Sequence, residues 1–83
     1  MTAQFHNLKT VSGPFSALWS GEKKFEVRVN DRGFREGDML ILNEADNYRR
    51  LIVRVDYMLH GGRYGLPDDL CVMSITEIAR GQI

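Results

Sequence analysis

In the stretch GEKKFEVRVNDRGFREGD, residues 21–38, a helical spacing of apolar residues ends at the first residue, and an alternating spacing begins a few residues later. From Lys24 to Asn30 apolar and polar residues alternate, which is typical of a β-strand. We expect one face of this strand to lie in the core, and its residues are Phe25, Val27 and Val29. The opposite face carries Glu26, Arg28 and Asn30, and such a face can hold a polar ligand.

One short helix is predicted before this strand. Gly13-Pro14 suits a helix start, because proline lacks an amide hydrogen that would be unpaired there, and Gly21 suits the left-handed residue that ends a helix. A single apolar stripe lies between these signals, and we expect it to pack on the core; its residues are Phe15, Leu18 and Trp19. Ahead of the helix, Phe5 to Val11 is predicted to be a short strand.

Turn residues and apolar runs predict three more strands downstream. Turns are predicted at residues 30–33, 35–38 and 43–47, and a glycine-rich loop at residues 60–69. The strands between them are Met39 to Leu42, Tyr48 to Leu59 and Leu70 to Ile78, followed by a frayed tail from Ala79 to Ile83. In the longest strand, alternation places one set of side chains together, namely Leu51, Val53, Val55, Tyr57 and Leu59.

Short strands at close spacing with a single helix predict a mostly β, α+β fold. A short all-antiparallel sheet removes its open edges by curling, so we expect a small β-barrel of five or six strands with the helix after the first strand. With 83 residues the chain is expected to form one domain, residues 1–83.

Charge and composition limit the classes of function that the sequence supports. Eleven Lys+Arg balance eleven Asp+Glu, so the chain lacks the overall basic field of a non-specific nucleic-acid binder, and an anion site has to be local. The single cysteine, Cys71, lies in an apolar run, where it is expected to be buried, and it fits a reducing compartment. Because neither a long apolar stretch nor a signal-peptide pattern is present, a soluble cytoplasmic protein without a membrane partner is predicted.

The polar cluster of the opening stretch offers two interpretations. Glu26 and Arg28 stand side by side on one strand face, and Lys23 can swing over the same groove. An acid between two cations fixes them in position to donate hydrogens to a carbonyl, a phosphate or a base edge. The alternative is a surface ion pair of little energetic weight.

Other polar and aromatic residues give weaker signals. Residues 30–33 are typical of a turn. His6 and His60 are far apart and have no cysteine at metal-ligand spacing, so neither a metal nor a cofactor is predicted. Tyr64 can stack on a base if it is exposed.

Several blocks of the sequence together resemble the ASCH domain, the activating signal cointegrator homology domain, a relative of the PUA β-barrel. The signature Gly21-x-Lys23-x-x-Glu26-x-Arg28 carries the resemblance. Further blocks extend it over essentially the whole chain, in the order His6-x-Leu8-Lys9, Asn30-Asp31-Arg32-x-Phe34, Gly37-Asp38, Tyr57 and Gly61-Gly62-x-Tyr64-Gly65-Leu66. The chain resembles a subgroup of small bacterial and phage ASCH-like proteins.

This resemblance implies a PUA-like barrel with a cleft beside the first helix that binds RNA or a modified nucleotide. The residues expected to contact such a ligand are Lys23, Glu26, Arg28, Asn30, Arg32, Lys9 and Tyr64. One branch of the family resembles amidohydrolases that remove the acetyl group of N4-acetylcytidine with a Lys, a Thr and a Glu. Its Lys falls on Lys23, its Thr on Glu26, and Glu77 is a candidate for its Glu.

Three functions are therefore open. The first is an RNA- or nucleotide-binding module in which Glu26 orients Lys23 and Arg28. The second is an amidohydrolase with Lys23 and Glu26 as base and acid, which the replacement of the expected Thr by Glu26 disfavours. The third is an accessory factor that binds another protein.

Overall fold

A computed structural model describes residues 2–82 and contains five strands and one helix over that range. In chain order they are β1 (Phe5–Thr10), α1 (Ser12–Ser20), β2 (Phe25–Val29), β3 (Met39–Glu44), β4 (Arg49–His60) and β5 (Leu70–Gln82). The predicted mostly β, α+β class and the single helix after the first strand are confirmed. Within residues 2–82 no helix is long and apolar enough to cross a membrane.

All five strands belong to one sheet, in the spatial order β1-β3-β4-β5-β2. The expectation of an all-antiparallel sheet is wrong, because β1 pairs with β3 in parallel, with Phe5 opposite Met39. The remaining pairs are antiparallel. A parallel pair needs a long crossover connection. Here the crossover contains both α1 and β2, so a strand lies within it as well as a helix.

The sheet is open, so the prediction of a closed barrel is also wrong. β1 and β2 are its two edges, and no strand pairing joins them within the described range. Two arginine side chains span the gap: Arg28 donates to the carbonyl of Lys9 and Arg32 to the carbonyl of Asn7. We call this gap the arginine seam. A guanidinium group lying between two edge strands keeps their backbones too far apart for a hydrogen-bonded ladder.

The core lies between one face of the sheet and α1. Phe15 and Leu18 of the helix are buried there and Trp19 is partly buried, which confirms the predicted apolar stripe. Gly21 ends α1 in the left-handed conformation at φ 86°, and its amide donates to the Leu18 carbonyl at 3.1 Å, as the sequence predicts. Cys71 is buried in the same core, and burial raises the pKa of its thiol.

β2 faces the opposite way from the prediction. Phe25, Val27 and Val29 are 46%, 45% and 48% exposed, whereas Glu26 on the other face is only 2% exposed. Alternation shows which residues share a face, but it does not say which face is inward. The polar face can turn inward because two cations accompany Glu26, and a paired carboxylate is tolerated where an unpaired one is not.

The register of β4 with β5 shifts at two places, between Ile52 and Val53 and between Val55 and Tyr57. A bulge between Val55 and Tyr57 reverses the alternation, so Tyr57 is exposed and Met58 takes the buried place, contrary to the prediction for Tyr57. Side chains satisfy the displaced amides: Tyr57 N donates to Ser74 Oγ and Met58 N to Glu36 Oε2, both at 3.1 Å. The bulge therefore has its own hydrogen-bond partners.

The predicted frayed tail is wrong for residues 79–82, and Ile83 lies outside the described residues. These residues extend β5, where Ala79 pairs with Ile52 and Gln82 with Arg49. The reason is that β4 begins at Arg49, so its first residues offer unpaired backbone groups that the chain end satisfies. β3 is likewise longer than predicted and reaches Glu44, because its last residues pair with β1 and β4.

Candidate functional site

A buried carboxylate between two cations lies at the start of β2. Glu26 Oε1 accepts a hydrogen bond from Lys23 Nζ at 3.1 Å, and Glu26 Oε2 accepts one from Arg28 Nε at 2.8 Å. Each carboxylate oxygen therefore has its own cation. The two cations are partly exposed, with about a fifth of each side chain open to solvent, so the carboxylate is at the inner end of the cluster. We call Lys23, Glu26 and Arg28 the charged cluster.

The end of the helix places Lys23 in this cluster. After the left-handed turn at Gly21, the amide of Lys23 donates to the Ala17 carbonyl at 3.0 Å, which holds the chain against the last turn of α1. The Lys23 ammonium then lies 5.3 Å from the centre of the Phe25 ring, within the range of a cation–π contact. Lys23 is thus fixed by the helix end, a carboxylate and an aromatic ring.

Arg28 is committed to the arginine seam. Besides its bond to Glu26, its Nη1 donates to the Lys9 carbonyl at 3.3 Å and its Nη2 donates to Thr10 Oγ1 at 3.1 Å. All three guanidinium nitrogens therefore have partners within the protein. The arrangement makes Arg28 a residue that positions Glu26 and joins the two sheet edges, and it leaves Lys23 as the more available cation of the cluster.

A cavity of about 280 Å³ opens beside the charged cluster, between the end of α1 and strands β4 and β5. Its apolar lining consists of Leu18, Leu51, Val53 and Ile75. Its polar lining consists of Lys23, Lys24, Thr76 and Glu77. Small-molecule sites usually combine an apolar wall with a few placed polar groups, and this cavity has both.

Glu77 enters the cavity from β5 and is held by an arginine. Arg80 donates to its carboxylate from Nη2 at 2.7 Å and from Nε at 2.9 Å, and this hydrogen-bonded pairing lowers the pKa of Glu77. Arg80 is itself placed over the Trp19 ring, 4.1 Å from its centre, and donates to the Trp19 carbonyl at 2.8 Å. Glu77 is therefore an anion at neutral pH, in a position fixed by the helix.

The other residues predicted as ligand contacts lie elsewhere, and none of them lines the cavity among the described residues. Asn30 accepts a hydrogen bond from the Phe34 amide at 2.8 Å and so stabilises the predicted turn. Arg32 belongs to the arginine seam, and Lys9 is an exposed residue of β1. Tyr64 is 85% exposed in the loop between β4 and β5.

The sequence interpretation missed Thr76 and Lys24 as cavity residues, as well as the whole apolar lining. Lys24 and Thr76 carry no motif, and they are brought together because β2 and β5 pair, with Phe25 opposite Ser74. Glu77 was named only through the family resemblance. The sequence itself also contained a signal for Glu77, because it is the one acidic residue of the predicted closing strand.

A second buried polar pair was not predicted at all. His6 Nε2 lies 2.8 Å from Asp38 Oδ2, and both side chains are buried. Burial alone raises the pKa of Asp38, but hydrogen bonds from His6 and from the amides of Gln4 and Arg35 outweigh it and hold the pKa below its ordinary value. The strict alternation of His6, Leu8 and Thr10 in β1 was an available signal, because these three are the buried residues of that strand.

No group of three or more histidine, cysteine, aspartate or glutamate side chains within residues 2–82 is arranged to hold a metal ion.

No curated protein matches the chain. A family model described as a domain of unknown function, DUF3850, matches residues 5–75. That match includes α1, β2 and most of the cavity lining. Because it spans most of the sequence, the chain belongs to the DUF3850 family.

Proposed function

We propose that the cavity beside the charged cluster binds a nucleobase, either in single-stranded RNA or in a modified nucleotide. The observation that carries the proposal is a cavity of about 280 Å³ with an apolar wall and with a lysine in its lining that a buried carboxylate holds in place. An apolar wall suits the faces of a base, and a fixed ammonium suits a phosphate or a base carbonyl. The cavity volume is close to the lower end of small-molecule sites, which favours a ligand of one base or nucleoside.

Each polar residue of the cavity has a distinct part in this proposal. Lys23 and Lys24 meet the phosphate or a carbonyl oxygen, because they are the two cations of the lining. Thr76 and Glu77 offer a hydroxyl and an acceptor to the polar edge of the base. Glu26 and Arg28 keep Lys23 in place and do not contact the ligand themselves, since Glu26 is buried and Arg28 is fully engaged.

We propose in addition that the chain is an ASCH-like domain. The signature residues Gly21, Lys23, Glu26 and Arg28 support this, because they form one side of the site. The proposal also includes a cytoplasmic location, where RNA and nucleotides are present. A local site of two lysines in a chain of zero net charge suits selective binding better than non-specific attachment to nucleic acid.

Equilibrium titration of the chain and of two variants with fluorescently labelled single-stranded RNA and with free nucleotides tests the proposal. Lys23→Ala is expected to weaken binding about tenfold or more, which corresponds to about 1.4 kcal/mol. Arg63→Ala, which removes an exposed arginine in the β4–β5 loop, is the matched control and is expected to bind like the wild type. Equal binding by all three proteins contradicts the proposal.

Salt provides a second readout in the same titration. Binding to a phosphate-bearing ligand is expected to weaken as salt rises, because ions compete for the phosphate, and the Lys23→Ala variant is expected to show a shallower dependence. An uncharged nucleoside is expected to bind with little salt dependence. If the nucleoside and the nucleotide respond to salt in the same way, Lys23 does not meet a phosphate.

A second candidate function, hydrolysis of an acylated nucleobase, is favoured by one observation: Lys23 and Glu77 line the same cavity. In such a reaction Glu77 accepts a proton from water, the water oxygen attacks the amide carbon, and Lys23 donates hydrogen bonds to the developing oxyanion. The carbon–nitrogen bond then breaks and the amine leaves with the proton. Glu26 has no part in this chemistry because it is buried and does not line the cavity.

Incubation with N4-acetylcytidine distinguishes the two candidates. Hydrolysis predicts release of acetate that is lost in Glu77→Gln and in Lys23→Ala, whereas recognition alone predicts binding without product. Arg63→Ala again serves as the matched control. No acetate release at high enzyme concentration contradicts hydrolysis of this substrate and leaves the binding proposal standing.

A further inference from the structure

On the basis of the function proposed above, we infer that Lys24 is the residue that binds the phosphate of the ligand. The cavity then takes a nucleoside with one phosphate group, in preference to a diphosphate or a triphosphate. Among the described residues, the charged side chains of the cavity lining are Lys23, Lys24 and Glu77. Two of them are paired with a charge of opposite sign, and Lys24 is not.

Lys24 is the lining cation that no acid balances. Its side chain is exposed and makes neither an ion pair nor a hydrogen bond with any described residue. Its backbone is nevertheless fixed, because the Lys24 carbonyl accepts a hydrogen bond from the amide of Ile75 in the cavity wall at 3.2 Å. The anchored backbone keeps a hydrated, flexible ammonium group beside the cavity, where it is available to a phosphate.

Lys23 is held in place by the protein. Its ammonium donates to Glu26 Oε1 at 3.1 Å and lies 5.3 Å from the centre of the Phe25 ring. Arg28 adds a second positive charge beside Glu26, but its guanidinium nitrogens donate to Glu26, Lys9 and Thr10 and lie outside the cavity lining. Lys23 therefore suits a fixed acceptor, such as a carbonyl of the base, better than a phosphate on a flexible sugar.

The acids near Lys24 have other partners. Arg80 donates to both carboxylate oxygens of Glu77, at 2.7 Å and 2.9 Å. Glu22, two residues before Lys24, lies outside the cavity lining, and its carboxylate accepts a hydrogen bond from Ser20 Oγ at 3.4 Å. The charge of Lys24 is therefore not offset by a bound carboxylate.

A single lining cation without an acidic partner predicts a single phosphate contact. The first phosphate of a ligand gains a charge-assisted hydrogen bond from Lys24. A second or third phosphate meets no further unbalanced cation of the described lining, and a more distant charge is screened by water and salt. A nucleoside with one phosphate occurs both as a free nucleoside monophosphate and as each unit of an RNA strand.

Isothermal titration of the chain with cytidine and with its mono-, di- and triphosphate tests the phosphate contact. The wild type is expected to bind the monophosphate about fivefold more tightly than cytidine. The di- and triphosphate are expected to bind within about twofold of the monophosphate. Lys24→Gln is expected to abolish the preference for the monophosphate over cytidine, and Lys24→Arg to retain it. Arg63→Gln, which removes an exposed cation of the β4–β5 loop, is the matched control and is expected to behave like the wild type.

Two further arms separate the lysines and the sources of the phosphate. Lys23→Ala is expected to keep a preference for the monophosphate over cytidine, because Lys24 is still present. A dinucleotide of cytidine, whose only phosphate is a diester, represents RNA. Tighter binding of the dinucleotide than of the monophosphate assigns the phosphate to a strand, whereas the reverse order assigns it to a free nucleotide, and either order supports a site for one phosphate.

Three results overturn the role of Lys24. One is a Lys24→Gln variant that still prefers the monophosphate over cytidine, and another is a wild type without that preference; in both cases base binding in the cavity stands. An affinity that rises in steps from the mono- to the triphosphate overturns the limit of one phosphate and also leaves base binding standing. If none of these ligands binds, the role of Lys24 and the proposed function fail together.

Discussion

Glu26 is the residue on which the candidate site depends. It is buried, its two oxygens are bound to Lys23 and Arg28, and it lies on a strand whose apolar residues face solvent. A buried carboxylate without partners is very unfavourable, so the two cations are a requirement of the fold as well as of the site. The same contacts that stabilise β2 therefore also orient Lys23.

Replacing Glu26 by glutamine tests how much the charged cluster contributes to the stability of the fold. Glu26→Gln keeps the shape but removes the charge, and we expect it to lower the free energy of unfolding by about 2 to 3 kcal/mol because two partly buried cations lose their anion. Urea denaturation followed by circular dichroism measures this. Glu22→Gln, an exposed neighbour, is the control and is expected to change stability by less than about 0.5 kcal/mol. Equal stability of both variants contradicts a structural role for the cluster.

The buried Asp38 gives the chain a predictable response to acid. Burial raises its pKa, but its hydrogen bonds outweigh burial and hold the pKa in the folded protein below the ordinary value. Its contribution to stability is therefore present above that ordinary pKa and is lost as pH falls through the lowered pKa. Asp38→Asn is expected to cost about 2 kcal/mol at pH 7. The difference from the wild type should narrow as the pH falls below the ordinary pKa. Thermal unfolding at several pH values measures it, and a pH-independent difference would contradict the account.

At the scale of the elements, the arginine seam explains how an open sheet remains compact. The seam replaces a backbone ladder between β1 and β2 with side-chain donors from Arg28 and Arg32. Such bonds are fewer than those of a strand pair, and they depend on side chains that a single substitution can remove. The two sheet edges are thus joined by interactions that can be tested one at a time.

Removing Arg32, the seam arginine that does not bind Glu26, is expected to loosen the sheet edges without unfolding the core. In Arg32→Ala, amides of β1 and β2 are expected to exchange with deuterium faster, because local opening of the two edges then costs less free energy. Amides in the middle of β4 and β5 are expected to change less, since both strands lie inside the sheet. Arg63→Ala is the control, and an equal rise throughout the sheet contradicts a local role for the seam.

The sequence alone predicted well where the helix and strands lie along the chain, but it predicted poorly which face of a strand is buried. The helix bounded by Gly13-Pro14 and Gly21 and the strand from Lys24 to Asn30 followed from local signals, because caps and alternation act within a few residues. The inward turn of Glu26 did not follow, because it depends on Arg28 reaching Thr10 of β1 on the far side of the seam. The bulge at Tyr57 also has no local signal, since its partners Ser74 and Glu36 are distant in sequence.

At the scale of the whole molecule, the pairing of strands assembles the site. Lys23 and Lys24 come from the end of the helix, while Thr76 and Glu77 come from a strand some fifty residues later in the chain. The sequence named Lys23, Glu26 and Arg28 together because they lie within six residues. It missed most of the cavity, because its lining comes from α1, β4 and β5, which only the sheet order brings together.

The last part of β5 also belongs to this assembly. Residues 79–82 complete the β4–β5 pairing, and Arg80 holds both Glu77 and the end of the helix at Trp19. Arg80→Ala is expected to free the Glu77 carboxylate and to shift the fluorescence of Trp19, because a guanidinium leaves its ring. Arg50→Ala, which removes an arginine of β4 that donates to Asn43, is the control. An unchanged tryptophan spectrum in Arg80→Ala contradicts this arrangement.

An NMR titration of the isotope-labelled chain with cytidine monophosphate and with short single-stranded RNA tests whether the cavity binds a base. If the cavity binds a base, the amide signals of Gly21, Lys24, Thr76 and Glu77 shift together and saturate with one affinity, and Lys23→Ala weakens that affinity. Base binding in this cavity is contradicted if these signals stay unchanged at saturating ligand, or if the shifts fall instead on the exposed loop around Tyr64.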